Sequence, residues 1–377
     1  MTHSNEFPKV PLLDLGPIHK PIQERLRNAV LEVLESNRFI GGPQVENFER
    51  AVAEYCGVNH AVGVSSGTDA LIVSLMALGV GRGDEVIVPS FTFFSTAGSV
   101  QRAGARPVFC DIDPETFNLD PVKLEELITD RTKGLIPVHL FGQCADMESI
   151  LEICARRGLW VIEDAAQAIG AQYKGKMAGS LGDTGCFSFF PSKNLGGIGD
   201  GGMVVTNSQR IAEDVRKLKE HGASQRYYHS LVGGNFRLDA IQAAALSVKL
   251  SYLEQWHEQR IHNARAYLEA FSDLHKKGLL TIPSESPGLR HVYNQFVIRV
   301  TNRDELQDYL TAKGIGTAIY YPIPLHLQRC FYEYGYSEGS LPESEKASRE
   351  VLALPIYPGL SRAQLDRVVE CIREFLL

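Results

Sequence analysis

Two spacings of apolar residues alternate along most of this chain. Runs at 61–64, 85–88, 107–110, 134–138, 159–162 and 186–190 are short, bulky and nearly all apolar, the mark of strands buried on both faces. Between them, at 71–78, 96–103, 121–128 and 147–157, the apolar positions recur three and four apart, which predicts helices with one buried face. Such alternation implies an α/β fold with a mostly parallel central sheet flanked by helices. Residues 1–17 precede it as an extended arm broken by Pro8, Pro11 and Pro17, followed by helices over 19–37 and from Gln44 to a stop at Gly57. After Thr206 the pattern predicts a helix over 210–220, a loop through Tyr227, Tyr228 and His229 to Asn235, and an apolar helix from 239 to 253 continuing towards 271. The composition shifts near Thr281. Residues 281–377 read as a small α+β domain, with a strand over 295–300, a helix over 303–313, an aromatic, Pro-rich loop over 320–326 and a last helix over 362–375 behind Ser361. The chain thus divides into an arm and large domain, 1–280, and a small C-terminal domain, 281–377.

The stretch 159–206 carries the chemistry. Its first strand ends in Glu163 and Asp164, and a carboxylate at the end of a buried strand needs a partner. A second buried run delivers Lys193 into a loop of Pro, Ser, Asn and Gly. An ammonium near apolar surface loses its proton easily, and a neutral lysine amine attacks carbonyls. Pyridoxal 5'-phosphate needs both groups, a lysine at its aldehyde and a carboxylate at its ring nitrogen. Upstream, Ser65-Ser66-Gly67-Thr68 lies between a strand and a helix, where backbone N–H groups bind anions. In parallel sheets ligands sit beyond the carboxyl ends of the strands, which is where Ser66, Phe93 and Asp164 fall. Taken singly, such residues are more often a helix N-cap, in the case of Asp164, and a surface lysine, in the case of Lys193.

Composition narrows the partners. A net charge of -7 and the lack of a basic stripe interleaved with aromatics argue against nucleic acid. Seven cysteines without a C-x-x-C pair fit reduced thiols, no run is long enough to span a membrane, and the first residues lack a signal-peptide shape; the expected location is the cytoplasm. No His/Cys cluster has metal-ligand spacing. Three motifs match by letter. Gly197 to Gly202 satisfies G-x-G-x-x-G but is followed by a strand where the dinucleotide fingerprint needs a helix, and Gly170 to Lys176 resembles a Walker A loop that ends in Met177. Gly63 to Gly67 satisfies G-x-S-x-G in a strand-turn-helix context, so a serine hydrolase built on Ser65 is the rival from another class. Against it, only one short strand precedes Ser65 and no HGGG-type segment lies upstream.

Seven stretches in order, SSGTDAL from Ser65, DEVIVPSFTFFST from Asp84, PVHLFGQCADM from Pro137, VIEDAAQAIGA from Val161, FSFFPSKNLG from Phe187, GGNFRLDAIQAA from Gly233 and YYPIPLHLQ from Tyr320, resemble the DegT/DnrJ/EryC1/StrS aminotransferases, which act on nucleotide-linked keto sugars. The resemblance implies the aspartate aminotransferase-like fold of the type I PLP-dependent transferases. It implies that Lys193 binds the cofactor's aldehyde and shuttles a proton, that Asp164 pairs with the ring nitrogen, and that Gln167 reaches the phenolic oxygen. Phe93 would stack on the ring, and Gly67, Thr68 and Ser188 would hold the phosphate. Asn235 would reach that phosphate from the neighbouring subunit, which implies a homodimer with shared active sites. Some members carry histidine in place of the lysine and dehydrate the sugar; Lys193 therefore implies amino transfer, from L-glutamate with release of 2-oxoglutarate.

For the nucleotide diphosphate, Arg237, Arg226 and His326 are candidate cations, and Tyr321, Tyr227 and Tyr228 candidate aromatic contacts. The loop PSKNLG is more similar to members that aminate C3 of UDP- or dTDP-linked 3-keto sugars than to GDP-linked C4 enzymes, although GGIGDGGM departs from the family's usual continuation. Amination at C4, amination of a keto-cyclitol, and a cofactor-binding member turned regulator stand as alternatives.

Overall fold

The computed structural model describes residues 9–377. Seven strands form its central sheet: β1 (His60–Val64), β2 (Glu85–Pro89), β3 (Arg106–Cys110), β4 (Thr132–Leu135), β5 (Trp160–Asp164), β6 (Thr184–Ser188) and β7 (Gly202–Thr206). Their order across the sheet is β1-β7-β6-β5-β4-β2-β3. β2, β3, β4, β5 and β6 pair in parallel, and β7 runs antiparallel to both β6 and β1. Six strands therefore point one way, and their carboxyl ends share one edge.

Alternation along each strand divides the core into two layers. Val62, Val64, Val86, Val88, Ile162, Cys186 and Val204 face the layer of the helices Gly67–Ala77, Ser95–Arg102 and Gln209–Leu218. Ala61, Ile87, Val161, Phe187, Met203 and Val205 face the opposite layer, built by Gln23–Ser36, Pro43–Cys56, Met147–Arg157 and Ala240–Leu250. Each fully buried aliphatic or aromatic side chain in these layers contributes about 1.5–3 kcal/mol of transfer free energy.

The departures from the sequence reading have local causes. The predicted strand 134–138 begins at Thr132 and ends at Leu135. Ile136 N–H still donates to Ile87 O (2.9 Å), but Pro137 has no N–H with which to continue the ladder. The predicted helix 19–37 is interrupted by a 3₁₀ turn, Lys20–Ile22, around Pro21. The long helix after Asp239 is two helices, Ala240–Leu250 and Leu253–Lys276. Gly170 to Lys176 contains a tight hairpin, Gln172–Tyr173 against Lys176–Met177, turning on Lys174 and Gly175 at positive φ, and is no phosphate loop. A separate apolar core joins Tyr267, Phe271 and Leu274 of Leu253–Lys276 to Phe296, Ile298, Leu352, Leu354, Val368 and Ile372. Its strands, Phe296–Arg299 and Val351–Leu354, pair antiparallel, and Ser361 caps the final helix with a capping box. The arm's first eight residues lie outside the described residues; beyond them, Val10 is buried and exchanges backbone bonds with Gly314 and Gly316.

Candidate active site

Period-2 geometry sends the two carboxylates at the end of β5 to opposite faces. Asp164 follows Ile162 into the layer of Ser95–Arg102, and is 5 % exposed. One of its oxygens accepts from Thr96 Oγ1 (2.8 Å) and the other from Ala166 N–H (3.3 Å). Burial raises the carboxyl's pKa, opposed by those two hydrogen bonds and by the nearby charges of Lys193 and His139. An anion held there by two donors is prepared for a cationic partner.

Glu163 faces the other layer and is completely buried. Oε1 accepts from the N–H groups of Leu181 and Gly182 (2.7 Å each); Oε2 accepts from Gly179 N–H and is bonded to His139 Nε2, both at 2.8 Å. Ala145 N–H donates to His139 Nδ1 (3.1 Å), which places the ring proton on Nε2, facing Glu163. His139 N–H in turn donates to Asp164 O (3.0 Å). Glu163 thus locks the backbone beside Asp164. Glu163→Ala would strand four buried donors, and we expect a loss of about 3–5 kcal/mol in stability. Urea unfolding checks this, and an unchanged midpoint would refute the lock.

The anion cup forms where β6 meets the helix Gly67–Ala77. Ser66 caps that helix by accepting from Asp69 N–H (3.0 Å), which leaves the N–H groups of Gly67 and Thr68, its first two residues, without intrahelical acceptors. A Cβ on Gly67 would stand 2.7 Å from Ser188 Cβ, so only glycine lets the helix end approach that hydroxyl. Thr68 Oγ1 and Ser95 Oγ, 2.6 Å apart, add two more hydroxyls. Ser95 was not among the residues singled out in the sequence.

Lys193 sits in the turn after β6, its N–H donating to Phe190 O (2.9 Å). It is partly buried, and desolvation lowers its amine's pKa to about 8, with the Asp164 charge pulling the other way. Asn194 Nδ2 donates to Val292 O (3.1 Å), and Asn294 Nδ2 to Asn194 Oδ1 (2.8 Å), tying this turn to the segment before Phe296. Phe93 is 56 % exposed, with its ring 6.2 Å from that of Tyr321. Gln167 Oε1 accepts from Phe141 N–H (2.7 Å), which turns its NH₂ towards the Tyr321 hydroxyl (3.1 Å). That amide can donate to a ligand oxygen.

Other residues singled out in the sequence lie elsewhere. His326 is completely buried, with Nδ1 2.6 Å from Ser90 Oγ and Nε2 3.1 Å from Glu345 Oε1; it fastens its loop to the end of β2. Arg237 donates to Glu220 (2.9 Å) and bridges Val64. Asn235 is exposed and bridges Glu220. Arg226 stacks its guanidinium over Tyr227 (5.1 Å) on an exposed hairpin that also carries Tyr228. Ser65 directly follows the edge strand β1 and donates to Asp69 Oδ2 (2.6 Å), with a carboxylate where a hydrolase needs an imidazole.

Residues 20–373 match the model of the DegT/DnrJ/EryC1/StrS aminotransferase family. The chain belongs to this family. Among DegT/DnrJ/EryC1/StrS proteins, it is 50% identical to a pleiotropic regulatory protein of Geobacillus stearothermophilus, over 97% of this chain and 98% of the relative. It is 43% identical to the dTDP-3-amino-3,4,6-trideoxy-alpha-D-glucose transaminase of Streptomyces venezuelae, over 100% and 98%. The crystal structure of S. venezuelae DesV in complex with a ketimine intermediate superposes with a TM-score of 0.94 at 43% identity, covering 98% of this chain and 99% of DesV. The protein is a PLP-dependent sugar aminotransferase with the fold of the DegT/DnrJ/EryC1/StrS enzymes, and the serine-hydrolase reading is thereby overturned. Among the described residues no helix is long and apolar enough to cross a membrane.

Proposed function

We propose that the enzyme transfers an amino group from L-glutamate to C3 of a UDP- or dTDP-linked 3-keto sugar. One observation carries the reading: a desolvated lysine amine lies within reach of the charge of a buried carboxylate, in a chain 43% identical to a dTDP-3-amino sugar transaminase. The residues present fit pyridoxal 5'-phosphate. Gly67, having no Cβ, lets the free N–H groups at the helix start lie beside the Ser188 hydroxyl, a donor set that suits a phosphate, Asp164 offers a buried carboxylate, and Phe93 an exposed aromatic face. When bound, the cofactor would supply an electron sink for breaking and making a C–H bond beside nitrogen.

The chain supplies the rest. Lys193 Nζ, uncharged in a large fraction near pH 8, would hold the aldehyde and, once displaced by the incoming amine, take and return the proton. Asp164, supported by Thr96 and Ala166, would keep the ring nitrogen protonated. Gln167 would donate its NH₂ to the phenolic oxygen, and Tyr321, bonded to it, would border the sugar. Phe93 would cover the ring and exclude water from one side. The exposed Asn235 is in keeping with service to a neighbouring subunit's phosphate in a homodimer, and Arg237, held by Glu220, would meet the diphosphate only by exchanging that partner. We assign no substrate role to His326, because both its ring nitrogens are already engaged. The regulatory name of the G. stearothermophilus relative raises a second reading, but the lysine and aspartate that amino transfer needs are both present and placed together here.

The test is spectroscopic and then chemical. The purified protein supplied with PLP should show a visible band that borohydride removes, fixing cofactor mass on Lys193, and that L-glutamate bleaches. UDP- and dTDP-3-keto sugars should then emerge as 3-amino sugars with return of the band. Turnover of only 4-keto sugars or keto-cyclitols would overturn the C3 assignment, and no band at all would remove the cofactor.

A further inference from the structure

The helix Ala240–Leu250, AIQAAALSVKL, carries one charged side chain, Lys249, and it points inward. Lys249 is 2 % exposed, and among the described residues no carboxylate pairs with it. A buried ammonium without an anion is costly, and a Leu or Met of similar volume would fill the site more cheaply. Burial lowers its pKa to about 8, and its charge in turn lowers that of His19. What it gains is two hydrogen bonds: Nζ donates to Gly196 O at 2.6 Å and to Gly197 O at 3.2 Å.

Those carbonyls close the turn that carries Lys193. Gly196 is folded back so tightly that a Cβ there would lie 2.2 Å from Pro191 O. Gly197 N–H donates to Phe189 O (2.7 Å), and Gln242, from the same helix as Lys249, accepts from Ile198 N–H (2.9 Å). Two adjacent carbonyls aimed at one point repel each other unless a donor stands between them. Without it they would be buried and unsatisfied, and the turn would gain by rotating them to water, carrying Lys193 with it.

We propose that Lys249 is a positioning residue for the amino transfer: its ammonium, bound to the carbonyls of Gly196 and Gly197, holds closed the turn that aims Lys193 at the cofactor. The role deepens the aminotransferase reading and rests on it. The positively charged donor would also let the glycine-rich run from Gly196 to Gly202, where this chain departs from the family's usual continuation, keep one shape.

The experiment uses the full-length protein with Lys249→Met, which removes every donor, and Lys249→Gln, which keeps one shorter, neutral donor. Folding is first verified by circular dichroism and thermal melting. In cofactor-free protein, acetic anhydride labelling of Lys193 across pH 6 to 11, read by mass spectrometry, gives the midpoint at which its amine becomes reactive. A loosened turn lets water reach Lys193, so in K249M this midpoint should rise by about one pH unit or more. In the loaded enzyme kcat should fall roughly tenfold to a hundredfold while KM for glutamate and for the sugar stays within about twofold. K249Q should lie between K249M and wild type in both readouts, and it carries the test alone if K249M does not fold. If the lysine only filled space, K249M would melt at or above the wild-type temperature and move neither readout. A folded variant, either one, that titrates Lys193 and turns over like the wild type overturns the proposal. If instead the wild type itself fixes no PLP on Lys193 with borohydride, the aminotransferase reading fails and takes this inference with it.

Discussion

Lys193→Ala should abolish amino transfer and leave the protein folded. In the proposed mechanism, loss of the amine removes both the attachment point for the aldehyde and the group that carries the proton, so kcat should fall by roughly four orders of magnitude or more. Borohydride should then fix no cofactor, while the anion cup at Gly67 and Thr68 still retains PLP by its phosphate. The fold should gain. In the cofactor-free native state the Lys193 pKa is depressed to about 8, below its unfolded value near 10.4, so between those two pH values the unfolded chain binds more protons and stability rises with pH. Below about pH 8 the native state carries the full cost of a charge it disfavours. Cofactor-free Lys193→Ala should therefore melt higher than the wild type at pH 7, with the gap narrowing towards pH 10.5. Retained turnover in this variant would remove Lys193 from the mechanism; a lower melting temperature at pH 7 would show that the amine is a structural ligand.

The sequence was most legible where chemistry and periodicity are local. Short apolar runs marked every strand of the central sheet, and the end of β5 and the turn after β6 were recognisable because Asp164 ends one buried strand and Lys193 stands in the loop just beyond another. Groups whose partners come from distant segments were not legible. Glu163 was visible as a carboxylate in need of a partner, but its donors, His139 and the amides of Gly179, Leu181 and Gly182, stand 24, 16, 18 and 19 residues away and meet it only through strand pairing and loop closure. His326 looked like a spare cation near the substrate because Ser90, 236 residues away, is invisible as its partner. The helix Pro342–Glu350 and the strand Val351–Leu354 went unread, since PESEKASRE buries Ser344, Glu345, Ala347 and Ser348 and shows no apolar stripe. Lys249 did leave a signal, a single charge in an otherwise uncharged helix, whose meaning appears only once the turn at Gly196 is seen to pack against it.

Asp164→Asn separates the electrostatic role of this carboxylate from its packing. The amide keeps an oxygen to accept from Thr96 and occupies nearly the same volume, so the strand end should persist. It cannot carry the charge that, in the proposed mechanism, would hold a proton on the ring nitrogen, and kcat should fall about a hundredfold to a thousandfold, the scale seen when one preorganised electrostatic contact is removed. Stability of the cofactor-free form should move the other way. Burial raises the native pKa of Asp164, so the native state binds more protons than the unfolded chain from its ordinary value near 3.9 up to the raised one, and stability falls as pH rises through that window. Above that window the carboxyl bears a burial cost that asparagine does not, and cofactor-free Asp164→Asn should melt above the wild type at pH 7. Adding PLP should reverse the ranking, because the cationic ring restores the partner that only the carboxylate can use; the cofactor's dissociation constant, titrated by the visible band, should be weaker in the variant. Equal kcat and equal PLP affinity in a folded Asp164→Asn protein would reduce Asp164 to a structural acceptor for Thr96 and Ala166. The opposite signs of the two effects, a more stable apoprotein and a poorer holoenzyme, are what an anion kept in place for a cationic cofactor requires.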